Sequence, residues 1–209
     1  MEEFKGVEFE VVVIDDNSPD GTARVVRDLA RKYENLKLLE RPGRMGLGSG
    51  VIDGLDMSAG RHILMMDADL SHRPQDARRL LDHAAGADIV VGSRYVPGGA
   101  CRNWPLWRRI VSREATFLVR LLLNVGVKDS TSGFALYRRE LLEELRDRLT
   151  PRGFKLLLEI LVKARGAKVK EVPITFVDRA KGSSKFGWRE VWEFIRLCWS
   201  LRRERAGGR

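Results

Sequence analysis

Residues 61–69 read RHILMMDAD, an apolar run that ends in two carboxylates one residue apart. Such a run predicts a buried β-strand whose tip opens into a loop, where an open α/β sheet usually builds its ligand site. Because residues i and i+2 of a strand point to the same side, Asp67 and Asp69 are expected to face one divalent cation. Carboxylate oxygens suit Mg²⁺ or Mn²⁺, which can bridge to a diphosphate. Paired aspartates at a strand end also form turns and helix caps, so the pair alone does not decide the function.

The composition predicts one globular domain over residues 1–209 with an excess of positive charge. The chain has 44% hydrophobic and 32% charged residues, and its length suffices for a proper core. The net charge of +9 predicts attraction to a nucleic acid, a phospholipid surface or a phosphorylated substrate. We expect no nucleic-acid partner, because no helix-turn-helix, zinc or RNP-type signature is present. Cys101 and Cys198 have neither metal-site spacing nor the pattern of a disulfide framework, which favours a reducing, cytoplasmic setting.

Neither a signal peptide nor a membrane-spanning segment is expected. The opening residues, MEEFK, are charged and short of apolar side chains. The longest apolar stretches, 117–127 and 191–201, contain charged residues and fall short of the roughly 20 residues that cross a bilayer.

The first half of the chain alternates strand-like and helix-like patterns. Strands are predicted at 9–14, 36–39, 61–66 and 88–91, and helices at 22–33, 46–58 and 74–85. Strands separated by single helices indicate an α/β fold with a doubly wound, mostly parallel sheet and helices on both faces. Asp15 and Asp16 end the first of these strands. We therefore expect them at the same edge of the sheet as Asp67 and Asp69.

The second half has longer helical patterns. Helices are predicted at 104–125 and 154–164, with a loop followed by a strand at 129–137 between them, and an amphipathic C-terminal helix with a short tail is predicted at 188–209. A strand pattern at 168–177 contains Pro173, which predicts an edge strand or a bulge.

Two loops have the composition of phosphate-binding segments. Residues 43–50 read GRMGLGSG and precede a predicted helix, so they place small residues and a cation at a helix N-terminus, although the spacing is not that of a P-loop. Residues 179–187 combine Arg179 and Lys185 with glycines and serines, as a lid over phosphates would. A flexible turn and a solvated basic loop remain the alternatives.

Two further cations are placed where a phosphate could bind. Arg94 directly follows a predicted strand, at the edge where ligands are expected. Arg108 and Ser112 are four residues apart on a predicted helix, so they share a face and could grip one phosphate. Basic side chains are mostly solvated, so simple surface charge is the alternative for each.

Five segments, taken in order, resemble the dolichol-phosphate mannose synthases and related polyprenyl-phosphate glycosyltransferases, which are family 2 inverting glycosyltransferases of the GT-A fold. The segments are VIDDNSPDGT at 13–22, MDADLSHRP at 66–74, VGSRY at 91–95, DSTSGF at 129–134 and the loop at 179–186. The resemblance extends from about residue 11 to residue 186. It implies a metal-dependent enzyme that transfers a sugar, mannose from GDP-mannose foremost, to a polyprenyl phosphate with inversion.

The resemblance also implies a role for each matching residue. The nucleotide-sugar would contact Asp15, Asp16, Asp67, Asp69, Arg179 and Lys185. The metal, Mg²⁺ or Mn²⁺, would be held by Asp67 and Asp69, with Ser71 as a further candidate because some relatives have a glutamine ligand there. The lipid phosphate would be grasped by Arg94, Arg108 and Ser112. Asp69 and Arg94 would be the catalytic residues, and Asp129 and Glu159 sugar or structural contacts.

A polyprenyl phosphate lies in a membrane, so the implied location is the cytoplasmic face of a membrane, with the protein bound peripherally. We expect docking through the basic helix that starts near Trp104 and the tryptophan-rich C-terminal helix, with or without a separate membrane-anchor subunit. Ordinary core packing is the alternative for both helices.

One departure from the family keeps other functions open. Relatives begin with a strand that ends in a Pro-Thr-Tyr-Asn-Glu-like turn around the nucleotide base, whereas this sequence starts at what corresponds to their second strand. One alternative is a transferase that uses a UDP-sugar to move a glucosyl or N-acetylhexosaminyl group. Another is an inactive module that binds a nucleotide-sugar.

Overall fold

The structure is a computed structural model that describes residues 2–150, 155–178 and 188–207. These residues form two compact units. Unit 1 combines Met1–Ile63 with Arg138–Leu156, and unit 2 combines Leu64–Tyr137 with Leu157–Arg209. The prediction of one domain over residues 1–209 stays a prediction.

The helices and strands follow the predicted order with two additions, a short strand and a short helix. The strands are β1 (Val11–Asp15), β2 (Leu36–Glu40), β3 (His62–Met65), β4 (Ile89–Ser93), β5 (Ala100–Arg102), β6 (Ala135–Arg138), β7 (Val169–Pro173) and β8 (Thr175–Val177). The helices are α1 (Thr22–Ala30), α2 (Leu47–Met57), α3 (Pro74–Asp82), α4 (Leu106–Leu123), α5 (Arg139–Leu145), α6 (Leu156–Lys163) and α7 (Trp188–Gly207).

Unit 1 contains a parallel pair of strands. β1 and β2 pair in register with Val13 opposite Leu38, and α1 makes the crossover between them. α1 begins after Gly21, whose φ of 83° lies in the left-handed region. The carboxylate of Asp20 accepts hydrogen bonds from the backbone and the hydroxyl of Thr22, so Asp20 caps the first turn.

Unit 2 is organised by the buried strand β4. The sheet order is β3-β6-β4-β7, in which β4 is parallel to β7 and antiparallel to β6. All five residues of β4 are buried, as expected of a central strand. A Cβ on Gly92 would lie 2.6 Å from a ring carbon of Phe134, so the close approach of β4 and β6 requires glycine at this position.

The strand predicted at 168–177 is divided in two. β7 ends at Pro173 and β8 begins at Thr175, and β8 pairs with β5 in a separate small parallel sheet. Proline has no N–H to donate, which favours an interruption of the ladder. The change of sheet brings Val177 N to Ser71 O at 3.1 Å, so β8 contacts the chain just after Asp67 and Asp69.

The long helices of unit 2 pack on one another through one face each. Their shared core consists of Val119, Leu123, Val125, Leu158, Val162, Cys198 and Leu201. The other face of α4 exposes large apolar side chains at helical spacing: Leu106, Trp107, Ile110, Val111, Phe117, Leu118, Leu121 and Leu122. α7 exposes Trp192, Ile195 and Trp199. Within the described ranges, every helix is too short or too polar to cross a bilayer.

Candidate active site

The acidic segment, residues 67–71, follows β3 and forms a tight turn in unit 2. Ser71 N donates to Asp69 Oδ1 at 3.0 Å, and Leu70 between them has φ = 64°. The left-handed conformation disfavours a leucine by about 1–2 kcal/mol, and this leucine is 91% exposed, so no burial of its side chain compensates. Strain of this kind concentrates at ligand sites, which makes the turn a candidate for one.

The donor atoms of the acidic segment fit a divalent cation. A Cβ on Gly133 would lie 3.3 Å from Asp67 Oδ2, so the segment at 129–134 backs this carboxylate closely. Ser71 Oγ is buried and has no hydrogen-bond partner among the described residues. The described ranges contain no cluster of three or more His, Cys, Asp or Glu side chains that could enclose a metal. Two carboxylates suit Mg²⁺ or Mn²⁺, which take further ligands from water and substrate phosphates.

His72 follows the acidic segment and is a buried, neutral ring. It stacks on Phe134 with ring centroids 4.5 Å apart and meets the ring of Phe176 edge-on. Burial lowers the pKa of His72, although the charges of Asp67 and Asp69 act in the opposite direction. The imidazole is therefore uncharged at neutral pH, and its packing holds the turn against Phe134 and β8.

Arg94 is held by a buried bidentate salt bridge, the fork, with Asp129. Its Nε and Nη2 donate to the two carboxylate oxygens of Asp129 at 2.7 Å each, and its backbone N–H donates to the same carboxylate at 2.9 Å. The Arg94 side chain is 8% exposed and that of Asp129 fully buried. Burial by itself lowers the pKa of Arg94, but the charge and hydrogen bonds of Asp129 outweigh it and raise the pKa. The guanidinium is thus permanently charged, and its orientation is fixed by these hydrogen bonds.

The other two residues predicted to hold the lipid phosphate lie on α4 and also have partners. Arg108 Nη1 donates to Asp178 at 2.8 Å, and its guanidinium lies 4.1 Å from the centre of the Trp104 ring. Ser112 Oγ accepts a 2.6 Å hydrogen bond from the hydroxyl of Tyr95. Arg94, Arg108 and Ser112 all belong to unit 2, where the rings of Tyr95 and Trp104 connect them. Arg179 and Lys185 lie outside the described residues.

Asp15 and Asp16 belong to unit 1, where Arg41 organises their surroundings. Asp15 is buried and accepts from Ser18 N at 2.9 Å. Arg41 is also buried, and its Nε donates to Asp16 at 2.6 Å while Nη1 donates to Ser49 at 2.8 Å. Arg41 Nη2 reaches the carbonyl of Gly46, so this arginine ties the glycine-rich segment to the tip of β1.

Sequence reasoning missed Arg41, Tyr95 and the pairing of Arg94 with Asp129. A lone arginine after a short strand carries no pattern, and Tyr95 is only the last residue of the VGSRY segment that contains Arg94. The sequence did contain DSTSGF as a matching segment, but nothing in it indicates that Asp129 points at Arg94, 35 residues away.

The family assignment follows from the sequence comparison. The chain matches the model of glycosyl transferase family 2 over residues 3–146, and it belongs to that family. It is 40% identical over 201 residues to a dolichol-phosphate mannosyltransferase of Pyrococcus furiosus, covering 95% of this chain and 56% of the relative. It is 41% identical to a polyprenol monophosphomannose synthase of Mycolicibacterium smegmatis, covering 92% of this chain and 76% of the relative. The chain thus spans a little over half the length of the first of these relatives.

Solved structures confirm the predicted GT-A fold. Glucosyl-3-phosphoglycerate synthase from Mycobacterium tuberculosis in complex with Mn²⁺ and UDP-glucose superposes with a TM-score of 0.66 at 20% identity, covering 96% of this chain and 69% of that one. The complex of the same synthase with phosphoglyceric acid superposes with a TM-score of 0.66.

The fork between Arg94 and Asp129 predicts a stability effect. Asp129→Asn keeps the shape of the side chain but leaves the buried guanidinium without a counter-charge, so we expect a loss of about 3–5 kcal/mol in the free energy of unfolding. Because all five tryptophans belong to unit 2, urea unfolding followed by tryptophan fluorescence reports on this unit.

Asp82→Asn is the matched control for this experiment. Asp82 pairs with Arg78 on the surface of unit 2, with both side chains more than a third exposed, so we expect a change below about 1 kcal/mol. An Asp129→Asn protein that unfolds at the urea concentration of the wild type would contradict the reading of the fork.

Proposed function

We propose that this protein transfers mannose from GDP-mannose to a polyprenyl phosphate with inversion. The observation that carries the proposal is the 40–41% identity, over more than nine tenths of this chain, to two relatives that are named as mannosyl transferases of dolichol phosphate and polyprenol phosphate. Unit 2 offers side chains suited to both substrates, an acidic turn for a metal-bound diphosphate and a basic, hydroxyl-bearing cluster for a phosphate.

The nucleotide-sugar is proposed to contact Asp15, Asp16, Asp67 and Asp69, with Arg179 and Lys185 in the same role. Mg²⁺ or Mn²⁺ held by Asp67 and Asp69, with Ser71 as a further ligand, would supply positive charge to the leaving diphosphate. Asp16 keeps a fixed direction through its 2.6 Å hydrogen bond to Arg41, which suits a residue that positions a substrate.

The acceptor phosphate is proposed to bind Arg94, Arg108 and Ser112. One of its oxygens attacks the anomeric carbon of mannose, the bond from that carbon to the diphosphate oxygen breaks, and GDP leaves with the electron pair. The acceptor oxygen is already anionic at neutral pH, so no protein group has to remove a proton. The fork with Asp129 holds Arg94 in place before the substrate arrives, which lowers the cost of organising the site.

Membrane docking is proposed through the exposed apolar faces of α4 and α7, at the cytoplasmic face. An exposed apolar surface of this extent marks an interaction site, and arginines border it on α4 at Arg109, Arg113 and Arg120. Apolar side chains flanked by cations are the features that bind an anionic lipid surface.

The acidic turn predicts a strict dependence of transfer on Asp69 and on a divalent cation. Asp69→Ala removes a metal ligand and the acceptor of the Ser71 N–H, so we expect transfer of radiolabelled mannose from GDP-mannose to a polyprenyl phosphate to fall by at least about 100-fold. The same loss is expected when EDTA is added to the wild type, and Mn²⁺ should restore the wild type alone.

Asp82→Ala is the matched control, because Asp82 ends α3 in an exposed ion pair with Arg78 and lies outside the turn. Equal activities of the Asp69→Ala and Asp82→Ala proteins, or wild-type transfer that persists in EDTA, would contradict the proposed role of the turn.

The docking surface predicts flotation with anionic vesicles. The wild type should float with phosphatidylglycerol vesicles at low salt, and Trp107→Ser/Leu118→Ser should weaken the association at least about tenfold, since each buried apolar side chain contributes roughly 1.5–3 kcal/mol. Val25→Ser/Leu29→Ser changes two exposed apolar residues of unit 1 and should float like the wild type. A wild-type protein that stays at the bottom of the gradient would contradict membrane docking and favour a protein anchor for this surface.

A further inference from the structure

Tyr95 links the end of β4 to α4 through one short hydrogen bond. It follows Arg94 directly, and its hydroxyl donates to Ser112 Oγ across 2.6 Å, a distance at the short end for two hydroxyls. The side chain is half-buried. The bond therefore fixes the hydroxyl of Ser112 as well as the position of Tyr95.

The phenol of Tyr95 is the more acidic of the two hydroxyls and therefore the better donor, so Tyr95 donates and Ser112 accepts. This direction decides what Ser112 can do. A serine hydroxyl has one hydrogen to donate and two lone pairs that accept. Tyr95 occupies one lone pair, and among the described residues Ser112 Oγ donates to no acceptor. A helical serine often donates to the carbonyl four residues earlier, and this arrangement is not found here. The hydrogen of Ser112 is thus left to be donated to a ligand.

The surroundings of the two hydroxyls favour an anion as that ligand. The guanidinium carbons of Arg94 and Arg113 lie 5.2 and 5.6 Å from the centre of the Tyr95 ring. Burial raises the pKa of Tyr95, with the charge of Arg94 acting against it, so the phenol stays protonated and remains a donor at neutral pH. Asp129 neutralises Arg94 in part, but Arg113 is exposed on α4 and adds positive charge close to the ring.

We propose that Tyr95 is a positioning residue for the phosphate of the acceptor, acting through Ser112: its hydroxyl donates to Ser112 Oγ and thereby directs the hydrogen of Ser112 to a phosphate oxygen. The proposal rests on the proposed function for the identity of the acceptor. It assigns Tyr95 no contact with the reacting atoms.

The test is a double-mutant cycle read by direct binding. Isothermal titration of farnesyl phosphate in detergent is compared for the wild type, Tyr95→Phe, Ser112→Ala and Tyr95→Phe/Ser112→Ala. We expect each single substitution to raise the dissociation constant about tenfold, the effect of one lost hydrogen bond, and the double substitution to raise it no further than Ser112→Ala does. In the transfer assay Tyr95→Phe should raise KM for the acceptor and leave KM for the sugar donor unchanged.

Two controls separate positioning from loss of structure. Tyr33→Phe makes the same chemical change at an exposed tyrosine of unit 1 and should bind like the wild type. Farnesol has the same isoprenoid chain without the phosphate, so any binding it shows should be equal in the wild type and in Tyr95→Phe.

Each outcome decides the inference. Additive effects of the two substitutions, a Tyr95→Phe protein that binds as tightly as the wild type, or a shift in KM for the donor would overturn it. Absence of farnesyl phosphate binding by the wild type would overturn it together with the proposed function. A wild type that binds with the expected cycle but transfers no sugar would support the role of Tyr95 while contradicting the transferase.

Discussion

The buried ion pair between Arg94 and Asp129 is the constraint on which the arrangement of unit 2 depends. Asp129 accepts from the backbone and the side chain of Arg94, while Glu171 of β7 accepts from the N–H groups of Lys128 and Asp129 at 2.8 and 3.1 Å. Ser132 Oγ then donates to the carbonyl of Gly92 in β4 at 2.7 Å. The segment at 129–134 is therefore fixed at several points, and it is this segment that backs the carboxylate of Asp67 through Gly133. Removing one charge would leave the other buried and uncompensated.

The two arginines differ in how easily a ligand phosphate can replace their carboxylate partners. Asp129 is fully buried, so an incoming ligand cannot displace it from Arg94. The pair of Arg108 with Asp178 is about one quarter exposed, so there a ligand phosphate can compete with the carboxylate. We therefore expect Arg94 to keep its partner Asp129 and supply fixed positive charge. Arg108 is expected to exchange Asp178 for the phosphate. The hydroxyls of Tyr95 and Ser112 are uncharged, and their role is to orient the phosphate.

The sequence was a good guide where the signal is local. The proline at the first position of α3 and the apolar run of β3 placed both elements within three residues of their observed bounds at every end. β5 was missed because a three-residue strand has no period of its own and exists through its pairing with β8. α5 was missed although Leu141, Leu142 and Leu145 have helical spacing, and Arg139 and Arg146 attach it to the end of α2. The antiparallel placement of β6 beside β4 is a matter of topology, which residue patterns do not encode.

In the candidate site, too, local patterns are predictable from the sequence and contacts between distant residues are not. Motif matches brought Asp67, Asp69, Arg94, Arg108 and Ser112 to attention, because each lies at a strand end or on a helix face that the pattern defines. Their partners Asp129, Asp178 and Tyr95 come from distant or unpatterned positions, and only the packing of unit 2 reveals them. The roles of Arg179 and Lys185 stay predictions.

The proposed transfer of mannose is tested by offering the protein three sugar donors at once. The purified protein is given a polyprenyl phosphate, Mn²⁺ and equal concentrations of GDP-mannose, UDP-glucose and UDP-N-acetylglucosamine, and the lipid-linked product is identified by mass spectrometry. We expect a mannosyl phosphate lipid, with GDP as the nucleotide released. A hexosyl product that forms only with a UDP-sugar, or no lipid-linked product with any donor, would contradict it.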